Sequence, residues 1–184
     1  MRFKRIIILI LCLVFFAWSV ESCFATDREE QDFFVAQKAF SDGFYDLALD
    51  NIEQFIRDYP NSQKIPEAHL LKGKCLFYED RPDDALLEFK NIETQSTANK
   101  IRDALIYWIA ETNFKTKNFD AAIALYKELI RDFPQSSYLA YADYSLGWCL
   151  FEKGDFLEAL NYLKKAREQF PKHALAEEAE FKIC

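Results

Sequence analysis

The sequence repeats itself every 37 residues, and this period constrains the fold more than any other feature. Short strings recur in register: GKCLF at 73–77 is matched by GWCLF at 147–151, and FIRDYP at 55–60 by LIRDFP at 129–134. We call the residues at one equivalent position in successive units a column. Two columns contain only small residues, namely Ala36, Gly73, Ala110 and Gly147, and Ala48, Ala85, Ala122 and Ala159. A fixed period of about 20–50 residues is typical of repeat architectures. The sequence therefore predicts a stack of four related units.

Each unit is predicted to be a pair of helices joined by a short turn. In the fourth unit, Gly154-Asp155 separates a first helix at about 138–152 from a second at about 156–170, and Pro171 stops the second. The two small columns are expected to face each other, because antiparallel helices approach closely only where side chains are small. We therefore predict an all-α solenoid of antiparallel hairpins, forming a right-handed superhelix. The predicted repeats lie at about 30–60, 65–97, 101–134 and 138–171.

The turns between units carry their own pattern. Ser62 and Ser136 follow proline-containing turns, and we interpret them as helix caps. Ser96-Thr97 replaces the aromatic-proline stop that ends the other three units. The boundary after the second unit is therefore expected to differ from the others.

The N-terminus has the pattern of a secretory signal peptide over residues 1–25. Three basic residues precede the uncharged run Ile6–Val20, and small residues at Cys23 and Ala25 suit cleavage after Ala25. The run is short for a membrane span, which needs about 20 residues. The string VESC that ends at Cys23 is also similar to a bacterial lipoprotein signal, in which this cysteine is lipidated. We expect export to the periplasm or the periplasmic face of the outer membrane, with membrane contact only through the signal or a lipidated Cys23.

The C-terminal residues 172–184 are predicted to be the first helix of a fifth, incomplete repeat. Ala179 falls 37 residues after Ala142, in the register of the other units. Repeat arrays normally close with a polar cap. Because Phe181 and Ile183 have nothing obvious to cover them, we favour a longer natural product over a half-unit that serves as the cap.

The repeat pattern resembles the tetratricopeptide repeat family. The fourth unit carries most of the resemblance, through Leu146-Gly147, Gly154-Asp155, Ala159, Ala166 and Pro171. The longer period and the strings YPNS and FPQS at the unit ends are similar to bacterial envelope members, the BamD-like outer-membrane lipoproteins and the YbgF-like periplasmic proteins. The resemblance implies that the first helices line a concave groove, which holds an extended peptide or a partner's helix.

By this resemblance, eight residues are candidates for the partner-binding groove. They are Phe33, Gln37, Leu70, Lys74, Tyr107, Glu111, Tyr144 and Trp148. Whether Tyr107, Tyr144 and Trp148 belong to groove or core stays open at this point. A further column, Phe40, Phe77, Phe114 and Phe151, recurs without variation, so we expect it in the core between hairpins.

Charge and composition argue against several kinds of site. Residues 1–25 carry three basic and one acidic side chain, so the remainder has a formal charge of −9, which disfavours nucleic acid as a partner. His69 and His173 are 104 residues apart and no C-x-x-C pair occurs, so we expect no metal or other cofactor. His69 has no acid beside it in sequence and is expected to be a surface or packing residue.

The remaining reactive side chains also have structural interpretations. Cys75 and Cys149 share a column two units apart, beyond disulfide reach, and are expected to be small buried core residues. Glu111, Glu128 and Asp143 are expected on solvated helix faces and not as an acid–base pair. The sequence therefore favours a non-catalytic scaffold for protein–protein interaction in the bacterial cell envelope. Two alternatives remain: a BamD-like outer-membrane assembly lipoprotein, or the N-terminal adaptor part of a larger exported protein with a catalytic region beyond residue 184.

Overall fold

The computed structural model describes residues 28–93 and 96–169 of the chain. In these ranges all regular structure is helical, with eight α-helices and one 3₁₀ helix, η1. Their bounds are α1 (28–41), α2 (Tyr45–Asp58), α3 (Ile65–Tyr78), α4 (Pro82–Glu93), η1 (Ser96–Ile101), α5 (Arg102–Lys115), α6 (Phe119–Asp132), α7 (Leu139–Lys153) and α8 (Phe156–Gln169). The predicted signal peptide at 1–25, the lipidation site Cys23 and the fifth repeat at 172–184 lie outside the described residues.

The helices alternate as the first and second members of four hairpins, which confirms the predicted all-α solenoid. The second helices begin 37 residues apart, at Tyr45, Pro82, Phe119 and Phe156. The first helices α3, α5 and α7 keep the same interval, beginning at Ile65, Arg102 and Leu139. One apolar cluster joins α1, α2 and α3, and a larger one extends from α3 to α8. Because α3 contributes to both clusters, the core runs continuously along the array.

Every hairpin turns through a residue in the left-handed conformation. These residues are Gly43, Asp80, Lys117 and Gly154, with φ of 84°, 60°, 61° and 86°. At Gly154 the backbone N–H donates to the carbonyl of Phe151, and the next N–H donates to that of Leu150, both at 2.9 Å. This pair of bonds satisfies carbonyls at the end of the first helix. The predicted helix end at Gly154 is therefore confirmed.

Small residues allow the two helices of a hairpin to approach closely, as predicted. A Cβ added at Gly147 would lie 2.8 Å from the Leu163 side chain and 3.3 Å from the carbonyl oxygen of Ala159. At Gly73 it would lie 2.3 Å from the ring of Phe89. Large residues of the second helices fill this space. They form a further buried column 37 residues apart, namely Ile52, Phe89, Tyr126 and Leu163.

Ser62 and Ser136 connect successive repeats, which corrects their interpretation as helix caps. The N-cap residues of α3 and α7 are Lys64 and Tyr138, and neither helix has a side-chain cap. Each serine instead accepts a bond from the backbone N–H two residues on. Its hydroxyl donates to an acid of the preceding first helix, at 2.5 Å for Ser62 to Glu29 and 2.7 Å for Ser136 to Asp103. The serines were misassigned because the distant acid cannot be seen from local sequence.

Cys75 and Cys149 are fully buried and form no disulfide, so the prediction of core cysteines is confirmed. Burial raises the pKa of both thiols to about 12, which keeps them protonated and unreactive at neutral pH.

Among the residues of the described ranges, no helix is both long and apolar enough to cross a membrane. The same ranges contain no cluster of three or more His, Cys, Asp or Glu side chains placed to hold a metal ion.

Candidate functional site

The eight predicted groove residues divide between core and surface. Phe33, Leu70 and Tyr107 are only 7–9% exposed and belong to the apolar clusters. Phe33 contacts the ring of Phe55, and Tyr107 stacks on Tyr138 at 4.7 Å between centroids. These three side chains therefore fill the space between helices. The remaining candidates keep some exposure: Gln37 is exposed, and Lys74, Glu111, Tyr144 and Trp148 are partly buried.

Glu111 is held inside the array, which corrects its prediction as part of a solvated face. Its carboxylate accepts a bond from the Tyr126 hydroxyl at 2.6 Å and another from the Ser145 hydroxyl at 2.7 Å. Burial raises the pKa of Glu111, and the hydroxyl donors partly oppose that rise. The residue therefore ties α5 to α6 and α7.

Asp143 was also predicted on a solvated face, and it is only 1% exposed. Lys165 of α8 donates to its carboxylate at 2.8 Å. Burial raises the pKa of Asp143, while the ammonium lowers it. In both acids the charge is satisfied by a side chain from another helix, which is why burial is tolerated.

A set of aromatic rings lies where successive repeats meet. We call Phe40, Tyr45, Phe77, Tyr78 and Trp108 the aromatic patch. Tyr78 lies at its centre. Its ring stacks on Tyr45 at 4.5 Å, contacts Phe40 at 5.6 Å and Trp108 at 6.0 Å, and remains 45% exposed. Because these rings come from three successive repeats, the patch is a surface that exists only in the stacked array.

Lys74 lies over the aromatic patch. Its Nζ is 4.4 Å from the ring centroid of Phe40 and 5.2 Å from that of Trp108. A cation over ring faces is attracted by their negative potential. Desolvation by the surrounding side chains lowers the pKa of Lys74. The patch therefore combines apolar area with one partly buried positive charge.

A second aromatic group lies in the fourth repeat. Trp148 contacts Tyr144 at 6.4 Å and Phe151 at 5.8 Å, and Phe151 contacts Phe156 at 5.3 Å. Phe151 is 42% exposed, so its prediction as core is wrong, whereas Phe40, Phe77 and Phe114 are partly buried against the apolar clusters. In the described residues the ring partners of Phe151 all belong to its own repeat, while Phe40 and Phe77 also contact rings of the next one.

Two family models, both described as tetratricopeptide repeat, match residues 36–99 and 102–172. The chain belongs to the tetratricopeptide repeat family. Comparison with curated proteins gives no match.

Solved tetratricopeptide-like structures share the fold at low sequence identity. A MamA structure from Desulfovibrio magneticus RS-1 is 18% identical with a TM-score of 0.62, over 80% of this chain and 78% of that chain. YrrB, a TPR protein with an unusual peptide-binding site, is 20% identical with a TM-score of 0.61, over 79% and 70%. The Rap conjugation gene regulator of plasmid pLS20, in complex with a Phr peptide, is 16% identical with a TM-score of 0.67, over 78% and 42%. At these identities the likeness establishes the fold alone.

In this tetratricopeptide array three members of the aromatic patch, Tyr45, Tyr78 and Trp108, were not predicted from the sequence. They lie outside the repeat columns that carried the prediction. The signal that could have found Tyr78 is its position directly after Phe77, at the end of a predicted first helix. Tyr45 contributes from α2, a second helix, and is brought to the patch by the hairpin turn.

His69 is paired, although no acid adjoins it in sequence. Its ring nitrogen contacts the Glu88 carboxylate of α4, which also lies 3.5 Å from Lys72. Burial opposes ionisation of Glu88, but His69 and Lys72 outweigh it and lower the pKa of that carboxyl. Lys72 also lies 3.3 Å from Glu53 of α2, so the group links α3 to both α4 and α2.

Proposed function

We propose that the chain is a protein-interaction scaffold that binds an extended segment of a partner protein across its first helices. One observation supports this most strongly: large aromatic side chains on these helices keep substantial exposure in the folded array. Tyr78 is 45% exposed and Tyr141 is 39% exposed. Burial raises the pKa of Tyr78, and neighbouring Tyr45 and Glu111 add smaller contributions in the same direction. Aromatic side chains are favoured binding anchors because they bury a large area with few rotatable bonds.

The comparisons support the same class of function. Two of the similar structures are described with peptides, one by its peptide-binding site and the other in a peptide complex. A stacked array offers a long surface assembled from equivalent helices, which suits an extended ligand. The proposed mechanism is binding without bond chemistry.

The proposal can be tested with peptides displayed on phage. A random twelve-residue library is selected on the purified chain, and the selected peptides are titrated against Tyr78→Ala by fluorescence anisotropy. We expect the variant to lose roughly tenfold or more in affinity, as for an aromatic anchor. Leu87→Ala is the matched control, because Leu87 is 61% exposed and lies on the second helix α4.

Circular dichroism of each variant shows whether helicity is kept. Selected peptides that bind wild type, Tyr78→Ala and Leu87→Ala equally would place the binding surface away from these aromatic side chains and contradict the proposal. Failure to enrich any peptide would refute the proposed function.

We further propose that this scaffold works in the bacterial cell envelope, on the basis of the signal-like residues 1–25. Mass spectrometry of the protein recovered from cells tests this. A lipidated Cys23 would favour the BamD-like, membrane-tethered alternative, and an N-terminus at Thr26 would favour a free periplasmic protein. Retention of residues 1–25 in a cytoplasmic fraction would contradict export.

A further inference from the structure

Lys74 differs from every other cation in the described residues. Most described Lys and Arg side chains lie within 4.0 Å of a carboxylate. The described lysines without such a partner are Lys74, Lys90, Lys100, Lys117 and Lys164. All of these except Lys74 are exposed to solvent, where water replaces the missing partner. Lys74 is thus the one described cation that is both partly buried and without a carboxylate.

The neighbouring repeats explain why Lys74 lacks a partner. One repeat earlier, its column holds Gln37, which is neutral. One repeat later it holds Glu111, whose carboxylate is turned towards Tyr126 and Ser145. The pKa of Lys74 is lowered chiefly by desolvation, with no contribution from Glu111. The acid closest in register is therefore engaged by other groups.

The aromatic patch satisfies Lys74 only in part. Ring faces attract the ammonium, but they cannot accept the three hydrogen bonds that it can donate. Removing an ammonium from water is costly unless it is paired. The ammonium of Lys74 has already lost part of its hydration in the folded array. A carboxylate bound beside it would pair with this ammonium and would lie next to the rings of Phe40 and Tyr78.

We propose that the aromatic patch with Lys74 binds a partner segment that presents one acidic side chain, Asp or Glu, between apolar side chains. Lys115 also lies over a patch ring, 4.7 Å from the centroid of Phe77, but it is already paired with Asp80 at 3.0 Å. Lys74 is therefore the cation of the patch that lacks a carboxylate, so it matches one acidic side chain, and the rings around it match the apolar neighbours. This inference rests on the proposed function and names the chemistry that the surface selects. An otherwise acidic protein would thereby recognise an acidic residue at one defined position.

The test uses the same displayed twelve-residue library, selected on wild type and in parallel on Lys74→Met. We expect peptides selected on wild type to share an Asp or Glu flanked by apolar residues, and those selected on Lys74→Met to lack it. Replacing that acid with Asn or Gln should weaken binding to wild type about tenfold and binding to Lys74→Met less than twofold, since charge pairs at interfaces are strongly coupled. Lys90→Met is the matched control, because Lys90 is unpaired and exposed on α4. It should behave as wild type.

The outcomes separate this inference from the proposed function. Peptides that depend on Tyr78 but show no acidic preference would overturn the carboxylate inference and leave the scaffold function standing. An equal effect of the acid-to-amide change on wild type and Lys74→Met would do the same. If no peptide is enriched, or if all selected peptides ignore Tyr78→Ala, both proposals fail.

Discussion

Replacing Gly73 with alanine should destabilise the array, although alanine is the better helix former. Alanine in a helix interior is favoured over glycine by about 1 kcal/mol. Against this gain, the new Cβ would lie 2.3, 2.7 and 2.8 Å from three ring atoms of Phe89, which has no exposed surface. Overpacking of this kind costs roughly 1–3 kcal/mol, so we expect a net loss of up to about 2 kcal/mol.

A substitution at Phe89 tests whether the two residues are coupled. In the first repeat the corresponding pair, by the 37-residue register, is Ala36 with Ile52. Phe89→Ile alone should destabilise, because it removes buried volume. Gly73→Ala with Phe89→Ile recreates the first-repeat pair, and the double variant should therefore cost at least about 1 kcal/mol less than the two single changes added together.

Urea unfolding followed by circular dichroism measures all four proteins in this cycle. If Gly73→Ala is as stable as wild type or more stable, the ring has room to move and close approach does not explain the glycine. If the loss in free energy of unfolding for the double variant equals the sum of the two single losses, the two positions are not coupled. That result would refute the close contact between residues 73 and 89 as the reason for the glycine.

Four further substitutions test three other features. Gly154→Ala should lower the free energy of unfolding by about 1 kcal/mol through its positive φ alone, since no atom lies within 4 Å of the added Cβ. Lys117 also has a positive φ, so Lys117→Gly should raise the free energy of unfolding by a similar amount, and urea unfolding measures both variants. Burial raises the folded-state pKa of Glu111 above its ordinary 4.5, so its contribution to stability is present at low pH and is lost as pH rises through the raised pKa. Compared with wild type, Glu111→Gln should therefore gain relative stability from acidic to neutral pH, as followed by thermal unfolding at a series of pH values. Ser136→Ala removes a bond to Asp103 and should weaken the junction by about 1 kcal/mol, which amide hydrogen exchange in α7 would detect.

Each of these has a contrary outcome. Equal stability of Lys117→Gly and wild type would show that the left-handed lysine carries no strain. A stability difference between wild type and Glu111→Gln that does not change with pH would mean that the carboxyl titrates alike in folded and unfolded chains. If amide hydrogen exchange in α7 is the same in Ser136→Ala as in wild type, the bond from Ser136 to Asp103 does not stabilise the junction between repeats.

The features that sequence predicted well are those fixed by backbone and size. Gly154 was identifiable as a helix end because few residues accept its conformation, and Gly147 and Ala159 were identifiable as a contact because both are small at a fixed spacing. Glu111 and Asp143 were misplaced because a charged residue was expected in water, whereas their partners come from helices that only the fold brings near. The same reason applies to the candidate site, in which Lys74 and Phe40 were named but Tyr45, Tyr78 and Trp108 were not.

The two serine links lie at the first and the last junction of the array. Ser62 with Glu29 joins the first two repeats, and Ser136 with Asp103, 74 residues later, joins the last two. At the central junction, between the second and third repeats, Asn99 takes the place of the serine and Pro66 that of the acid, so this hydroxyl–carboxylate bond cannot form. The 3₁₀ helix η1 lies there in place of a proline turn. The closest string matches in the sequence are also 74 residues apart. The two halves of the sequence therefore resemble each other more closely than adjacent units do, and the central junction between them departs from the shared pattern.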